Sequence, residues 1–213
     1  MCPLSALSPF TFHLFNSLTV LHGMGISPQD FAKLQQRLAG KSRKAEPELT
    51  PNSLPTYRRV LGVDPSLRGT GYGVIELGQP GPTGVTSGTI KCPPAWERSR
   101  CLGHIAATLR DVIRAQQPEV CAIEGLFHAK NLRTALIMGE ARGAALAVIA
   151  EAGLPIYEMA PRKVKLAIVG FGGAQKLAVA KMVQRLLALA ELPAPDAADA
   201  LALALAFAQE RSR

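Results

Sequence analysis

VLGVDPSLRGTGYGVIE, residues 60–76, decides how the rest of the chain is read. Val60, Leu61 and Val63 are bulky apolar residues suited to a central strand, and the run stops at a single carboxylate, Asp64. Pro65, Gly69, Gly71 and Gly73 follow as a glycine-rich turn, breaking regular structure or letting another chain approach the backbone closely. Tyr72 to Leu77 predicts a second strand, so the segment reads as a hairpin with an acid at the exit of its first strand. An acid in that place caps a turn or serves a site, and this stretch alone leaves both readings open.

Further along, Gly84 to Ile90 predicts a third strand bounded by Pro82 and Pro93, which makes the start of the sheet antiparallel. Residues 96–116 carry Leu102, Ile105, Leu109, Val112 and Ile113 at helical spacing, and Pro118 ends that helix. The apolar run VCAI then leads to a second acid, Glu124, again at a strand end. A helix between two strands favours a parallel crossover, which brings Asp64 and Glu124 to one edge of the sheet. GLFHAKN, residues 125–131, follows as an exposed connection with an aromatic and a cation, Phe127 and Lys130.

Residues 132–152 predict a long helix rich in Ala and Gly, suited either to tight packing on the sheet or to a subunit contact. Leu154 to Met159 predicts a fifth strand, and Pro161 fits the first turn of a new helix. Arg162, Lys163, Lys165 and Lys176 gather around the loop at 170–173, as a solvated basic face or an anion-binding one. Residues 175–190 are helical in pattern. Pro193 and Pro195 then announce DAADALALALAFAQE, residues 196–210, where Ala content and the prolines favour helix over the strand that its alternation suggests. Asp196 and Asp199 share one face of its first turn. Complementarity with the helix dipole accounts for one such acid more easily than for two.

Upstream of the hairpin, residues 1–23 are mildly apolar but lack a basic start and are interrupted by polar residues, so they read as neither signal peptide nor membrane span. Residues 27–38 could form one short amphipathic helix, and residues 40–57 are charged and Pro-rich, as in a linker. The biological start is expected at Met24. Residues 1–57 are thus expected to be an extension and linker, largely disordered, and residues 58–213 one α/β domain. The four cysteines show no C-x-x-C spacing and no His completes a zinc site with them, which fits a reduced, cytoplasmic protein.

The chain carries 24 Lys+Arg against 16 Asp+Glu, a formal charge of +8; of these, 19 and 13 fall in residues 58–213. The basic excess therefore belongs to the expected domain. If four of its acids are gathered in one site, the remaining surface is near +10, roughly, which favours a polyanionic partner such as nucleic acid.

Four converging carboxylates, Asp64, Glu124, Asp196 and Asp199, would repel and raise one another's pKa unless cations occupy the site. Oxygen ligands without His or Cys suit Mg²⁺, or Mn²⁺ in its place. Two such ions about 4 Å apart activate water and stabilise a leaving oxygen, which is the chemistry of phosphodiester hydrolysis. Lys165 and Lys176 could hold the phosphate or stabilise charge on the scissile group.

DPSLRGTGYGVIE, AIEGLFHAKN, ARGAALAVIA, APRKVKLAIVGFGGAQK and PDAADALALALAF, in this order, closely resemble the RuvC family of bacterial Holliday-junction resolvases. The resemblance spans residues 59–209. It implies a ribonuclease H-like fold, a five-stranded mixed sheet flanked by helices. It further implies a homodimer that nicks two opposed strands of a four-way DNA junction symmetrically with Mg²⁺, working with the branch-migration proteins RuvA and RuvB in recombination and repair. By position, Asp64, Glu124, Asp196 and Asp199 match the family's metal-binding acids, Lys165 and Lys176 its phosphate-contacting lysines, and Phe127 the aromatic that stacks at the junction centre. Lys130, Arg133, Arg162 and Lys163 join these as expected DNA-facing cations, and the helix at 132–152 corresponds to part of the family's dimer interface. Ser66-Leu67 replaces the Gly-Ser commonly found after Asp-Pro, so a stiffer loop is expected beside the first acid. Alternatives weighed were a ribonuclease H-like nuclease acting on RNA and a catalytically weak junction-binding protein. An actin-like ATPase is excluded by the chain's length.

Overall fold

The computed structural model describes residues 56–125 and 131–211. The expectations for the first 55 residues, including a start at Met24, lie outside the described residues.

The expected five-stranded mixed sheet is present. Strands β1 (Arg59–Asp64), β2 (Gly69–Glu76) and β3 (Thr83–Lys91) form an antiparallel meander. Helix α1 (Arg98–Gln116) leads to β4 (Val120–Glu124), and α2 (Leu132–Glu151) leads to β5 (Ile156–Met159). Both crossovers return parallel, so the order across the sheet is β3-β2-β1-β4-β5. Helices α3 (Pro161–Val169), α4 (Lys176–Leu186) and α5 (Pro195–Arg211) complete the chain.

Side-chain alternation along β1 and β4 divides the core into two layers. Leu61, Val63, Cys121 and Ile123 pack against Cys101, Ile105 and Leu109 of α1 and Ala141, Ala145 and Ile149 of α2. Val60, Val120 and Ala122 face the other way, into a core with Val164, Val179, Leu201 and Leu205 from α3, α4 and α5. Because β1 and β4 are covered on both faces, they read as unbroken apolar runs rather than alternating ones.

The glycine-rich stretch is the main correction to the sequence reading. The turn occupies only residues 65–68, and Gly69, Gly71 and Gly73 lie within β2. These glycines make room for α5. A Cβ on Gly71 would stand 2.0 Å from the carbonyl oxygen of Asp196, and one on Gly62 would stand 1.9 Å from that of Ala200. Helix α5 therefore lies on the sheet at backbone distance, and its alternating Ala and Leu residues are buried almost all round, from Ala197 to Ala208.

Some boundaries also move. Helix α1 starts at Arg98 because residues 93–96 close a turn, with the Trp96 N–H donating to the Pro93 carbonyl at 3.0 Å. Helix α4 stops at Leu186 because Ala188 takes a left-handed backbone, φ 50°. Leu154 lies in the turn that closes α2, donating to the Ile149 carbonyl at 3.2 Å, so β5 is shorter than expected. Among the described residues, no helix is long and apolar enough to cross a membrane.

Candidate active site

Position parity aims the two strand-end acids. Asp64 follows Val60 and Gly62, and Glu124 follows Val120 and Ala122, on the sheet face that α5 covers. Parallel pairing of Val63 with Ile123 sets the two strand ends side by side. The close seat of α5 then delivers its first turn to the same edge.

The result is a cavity of about 210 Å³ whose polar lining is Asp64, Glu124, Asp199, Lys165 and Lys176. Val164, Val179 and Leu203 supply apolar walls. Asp196, one turn before Asp199, is not among the lining residues. It stands over β2, close enough to Gly69 that a Cβ there would be 2.9 Å from its Oδ2.

Charge in the cavity is strongly coupled. Burial pushes the Asp64 carboxyl up to about 8, assisted by the negative charges of Glu124 and Asp199. Glu124 is also raised, first by burial, while its hydrogen bond with Asp64 and the charges of Lys176 and Lys165 oppose the rise. Burial drives both shifts, and the hydrogen bond between Asp64 and Glu124 ties their protonation together. Lys176 Nζ donates to Asp199 Oδ2 at 2.7 Å, and that bond raises the lysine's own pKa.

Among the described residues, no group of three acid, His or Cys side chains is drawn together as a metal cage in this arrangement. The donor chemistry nevertheless fits a hard cation. The facing groups are carboxylates, two of them sit in an environment short of positive charge, and the Lys176 ammonium supplies part of what is missing.

Two residues that the sequence reading passed over support this edge. Thr70 is fully buried; its Oγ1 donates to the Ser66 carbonyl at 2.6 Å and accepts from the Ser66 N–H at 3.1 Å. With Leu67 buried in the α1 layer, this pins the loop that leaves Asp64. Arg142, with a side chain 13% exposed, donates to the Glu124 carbonyl at 3.2 Å and pairs with Glu158 at 2.6 Å. It was discoverable as a cation in the small-residue run ARGAAL.

The remaining candidates are scattered. Arg133 is exposed at the start of α2. Lys163 pairs with Glu210 at 2.6 Å and is not among the residues lining the cavity. Arg162 lies across Gly172, where a Cβ would meet its Cγ at 2.7 Å. Phe127 and Lys130 lie outside the described residues.

Comparison with known proteins places this geometry. Residues 60–207 match the family model of crossover junction endodeoxyribonuclease RuvC. A protein of that description from Halorhodospira halophila is 46% identical over 154 residues, covering 72% of this chain and 92% of that relative. One from Bordetella parapertussis is 47% identical over 150 residues, covering 70% and 82%. Among solved structures, T. thermophilus RuvC in complex with a Holliday junction substrate superposes with a TM-score of 0.67 at 35% identity, covering 73% of this chain and 96% of that one. The sheet and its flanking helices are thus the ribonuclease H-like fold. With its acids brought to one sheet edge within that fold, this chain belongs to the family of crossover junction endodeoxyribonucleases, RuvC.

Proposed function

We propose that this endodeoxyribonuclease resolves four-way DNA junctions by paired, symmetric, metal-dependent phosphodiester hydrolysis, with its catalytic centre in the cavity between β1, β4, α3, α4 and α5. The observation that carries this reading is the meeting of Asp64, Glu124, Asp199, Lys165 and Lys176 in one cavity. A DNA-binding surface has no use for buried acids facing phosphates, whereas hydrolysis assisted by cations requires them.

Asp64, Glu124 and Asp199, with Asp196 beside them, would hold divalent cations. Mg²⁺, two per subunit, or Mn²⁺ in its place, supplies an activated water and stabilises the leaving oxygen when bound. With cations held there, the Asp64 and Glu124 carboxyls would be ionised, and Lys176 would share Asp199 with the metal. Lys176 and Lys165, which line the same cavity, would hold the phosphate and offset charge on the scissile group. Apolar walls from Val164, Val179 and Leu203 lower the local dielectric, which strengthens each of these interactions.

Paired nicks require two such cavities, and α2 offers a face for a second copy. Leu132 and Leu136 are 76% and 57% exposed, and a Cβ on Gly139 or Gly143 would meet nothing within 4 Å. Residues 58–213 form the nuclease domain, with 1–57 an added segment. The protein acts in the bacterial cytoplasm with RuvA and RuvB; described cysteines Cys92, Cys101 and Cys121 are free thiols, consistent with that compartment.

The test is cleavage of a synthetic four-way junction beside linear duplex of the same sequence, with Mg²⁺ and with chelator. Paired symmetric nicks in the junction alone, lost with chelator, are expected. Equal cutting of both substrates, or cutting in chelator, would overturn the proposal.

A further inference from the structure

The loop between α3 and α4 carries a feature that hydrolysis does not use. Phe171 is 67% exposed, and Leu177 is exposed as well. The two rim an open depression of about 520 Å³ that also takes in Val169, Ala178 and Lys181. An aromatic ring left in water is costly, and contiguous exposed apolar patches mark interaction sites.

The ring is held in place. Gly170 closes α3 with a left-handed backbone, φ 79°, and the Ala174 N–H donates to the Phe171 carbonyl at 3.1 Å. A Cβ on Gly173 would come within 2.9 Å of the ring, so only glycine lets Phe171 lie back across its own loop. Arg162 lies over Gly172 on the same loop.

Position and charge indicate the occupant. Leu177 and Ala178 of the depression lie in the chain between Lys176 and Val179 of the acid cavity, so the two sites adjoin along α4. Between Glu158 and Glu191 the chain has Arg162, Lys163, Lys165, Lys176, Lys181 and Arg185 and not one acid. Two of these cations are engaged, Lys163 with Glu210 and Lys176 with Asp199, while Arg162 lies over the Phe171 loop and Lys181 lines the depression. An apolar ring beside such cations suits nucleic acid, whose bases and sugars take the ring while its phosphates take the cations.

The geometry points to Phe171 as a positioning residue for DNA: its ring packs on the base and sugar faces of the scissile strand just outside the acid cavity, with Lys181 and Arg162 toward the flanking phosphates. This rests on the junction-cleaving function proposed above.

Junction binding by the full chain in chelator, followed by fluorescence anisotropy, tests it with Phe171→Ala, Phe171→Leu and Phe171→Trp. A 2-aminopurine beside the scissile phosphate reports stacking. Phe171→Ala is expected to weaken binding about 5- to 30-fold, within the range of one lost stacking contact, and to abolish the change in 2-aminopurine emission. Phe171→Trp should restore both, and Phe171→Leu should restore neither fully. Unchanged affinity in Phe171→Ala beside a parent that binds and cuts the junction overturns this inference alone. If that variant instead alters sedimentation of the free protein while leaving junction affinity intact, the patch is a protein contact and the inference fails. A parent that neither binds nor cuts the junction overturns the proposed function, and this inference with it.

Discussion

Asp64 is where a single side chain has the largest reach. Asp64→Asn removes a carboxylate from the cavity without touching the basic surface, so cleavage should fall by about three orders of magnitude, the scale of several kcal/mol of lost charge stabilisation, while junction binding persists. Parallel loss of binding in an anisotropy titration would make Asp64 a structural residue. Its protonation also predicts how the metal-free protein responds to pH. The folded carboxyl titrates at about 8, against 3.8 as its ordinary value, so between those values the folded state holds a proton that the unfolded state has lost. Stability from this group is therefore full below about pH 4 and declines as pH rises toward 8. Melting in chelator should show that decline, and Asp64→Asn should flatten it; identical pH slopes in the two proteins would contradict the assignment. Added Mg²⁺ should raise the melting temperature more at pH 8 than at pH 5, because fewer protons then compete for the carboxylates.

Among the elements, α5 depends most on what it touches. Its acids reach the sheet edge only because β1 and β2 present bare backbone at Gly62, Gly71 and Gly73. Gly71→Ala puts a methyl group 2.0 Å from the Asp196 carbonyl oxygen, where backbone must move. The expected cost is about 3 kcal/mol or more in urea denaturation, above the common range for overpacking because the obstacle is main chain. Cleavage should drop in the fraction that remains folded. A variant as stable as the parent would mean that α5 sits farther from the sheet. The same contact decides between the two readings of the glycines: close approach to bare backbone holds, and the turn does not. In sequence, glycine spacing after an acid and a proline looks like a turn, and only a helix from the far end of the chain shows them to be strand residues.

For the molecule as a whole, the open question of assembly falls on α2, whose inner face packs through Ala141, Ala145 and Ile149 while Leu132 and Leu136 stay in solvent. The packing reading of its small residues therefore holds for the inner face, and the subunit contact is proposed for the outer one. Leu136→Glu should convert the proposed dimer to monomer in sedimentation velocity and replace paired nicks by single ones; an unchanged sedimentation coefficient would move the subunit contact elsewhere. Most elements were legible in the chain before any coordinates, since strand runs, helical periodicity and proline boundaries are local properties of neighbouring residues. So was the meeting of Asp64, Glu124 and Asp199 with Lys165 and Lys176 at one cavity, whereas Asp196, expected in the same set, stands over β2 outside its lining. Less local features were not. Lys163 looked equivalent to Lys165 until Glu210 claimed it, and Arg142 and Thr70 gained meaning only from the Glu124 and Ser66 backbone groups that they hold. The pairing of β1 with β4, the backbone-close seat of α5 and the coupled carboxyls of Asp64 and Glu124 all join residues distant in the chain. Folding alone brings such groups together, because burial and charge coupling depend on distance in space rather than on order in sequence.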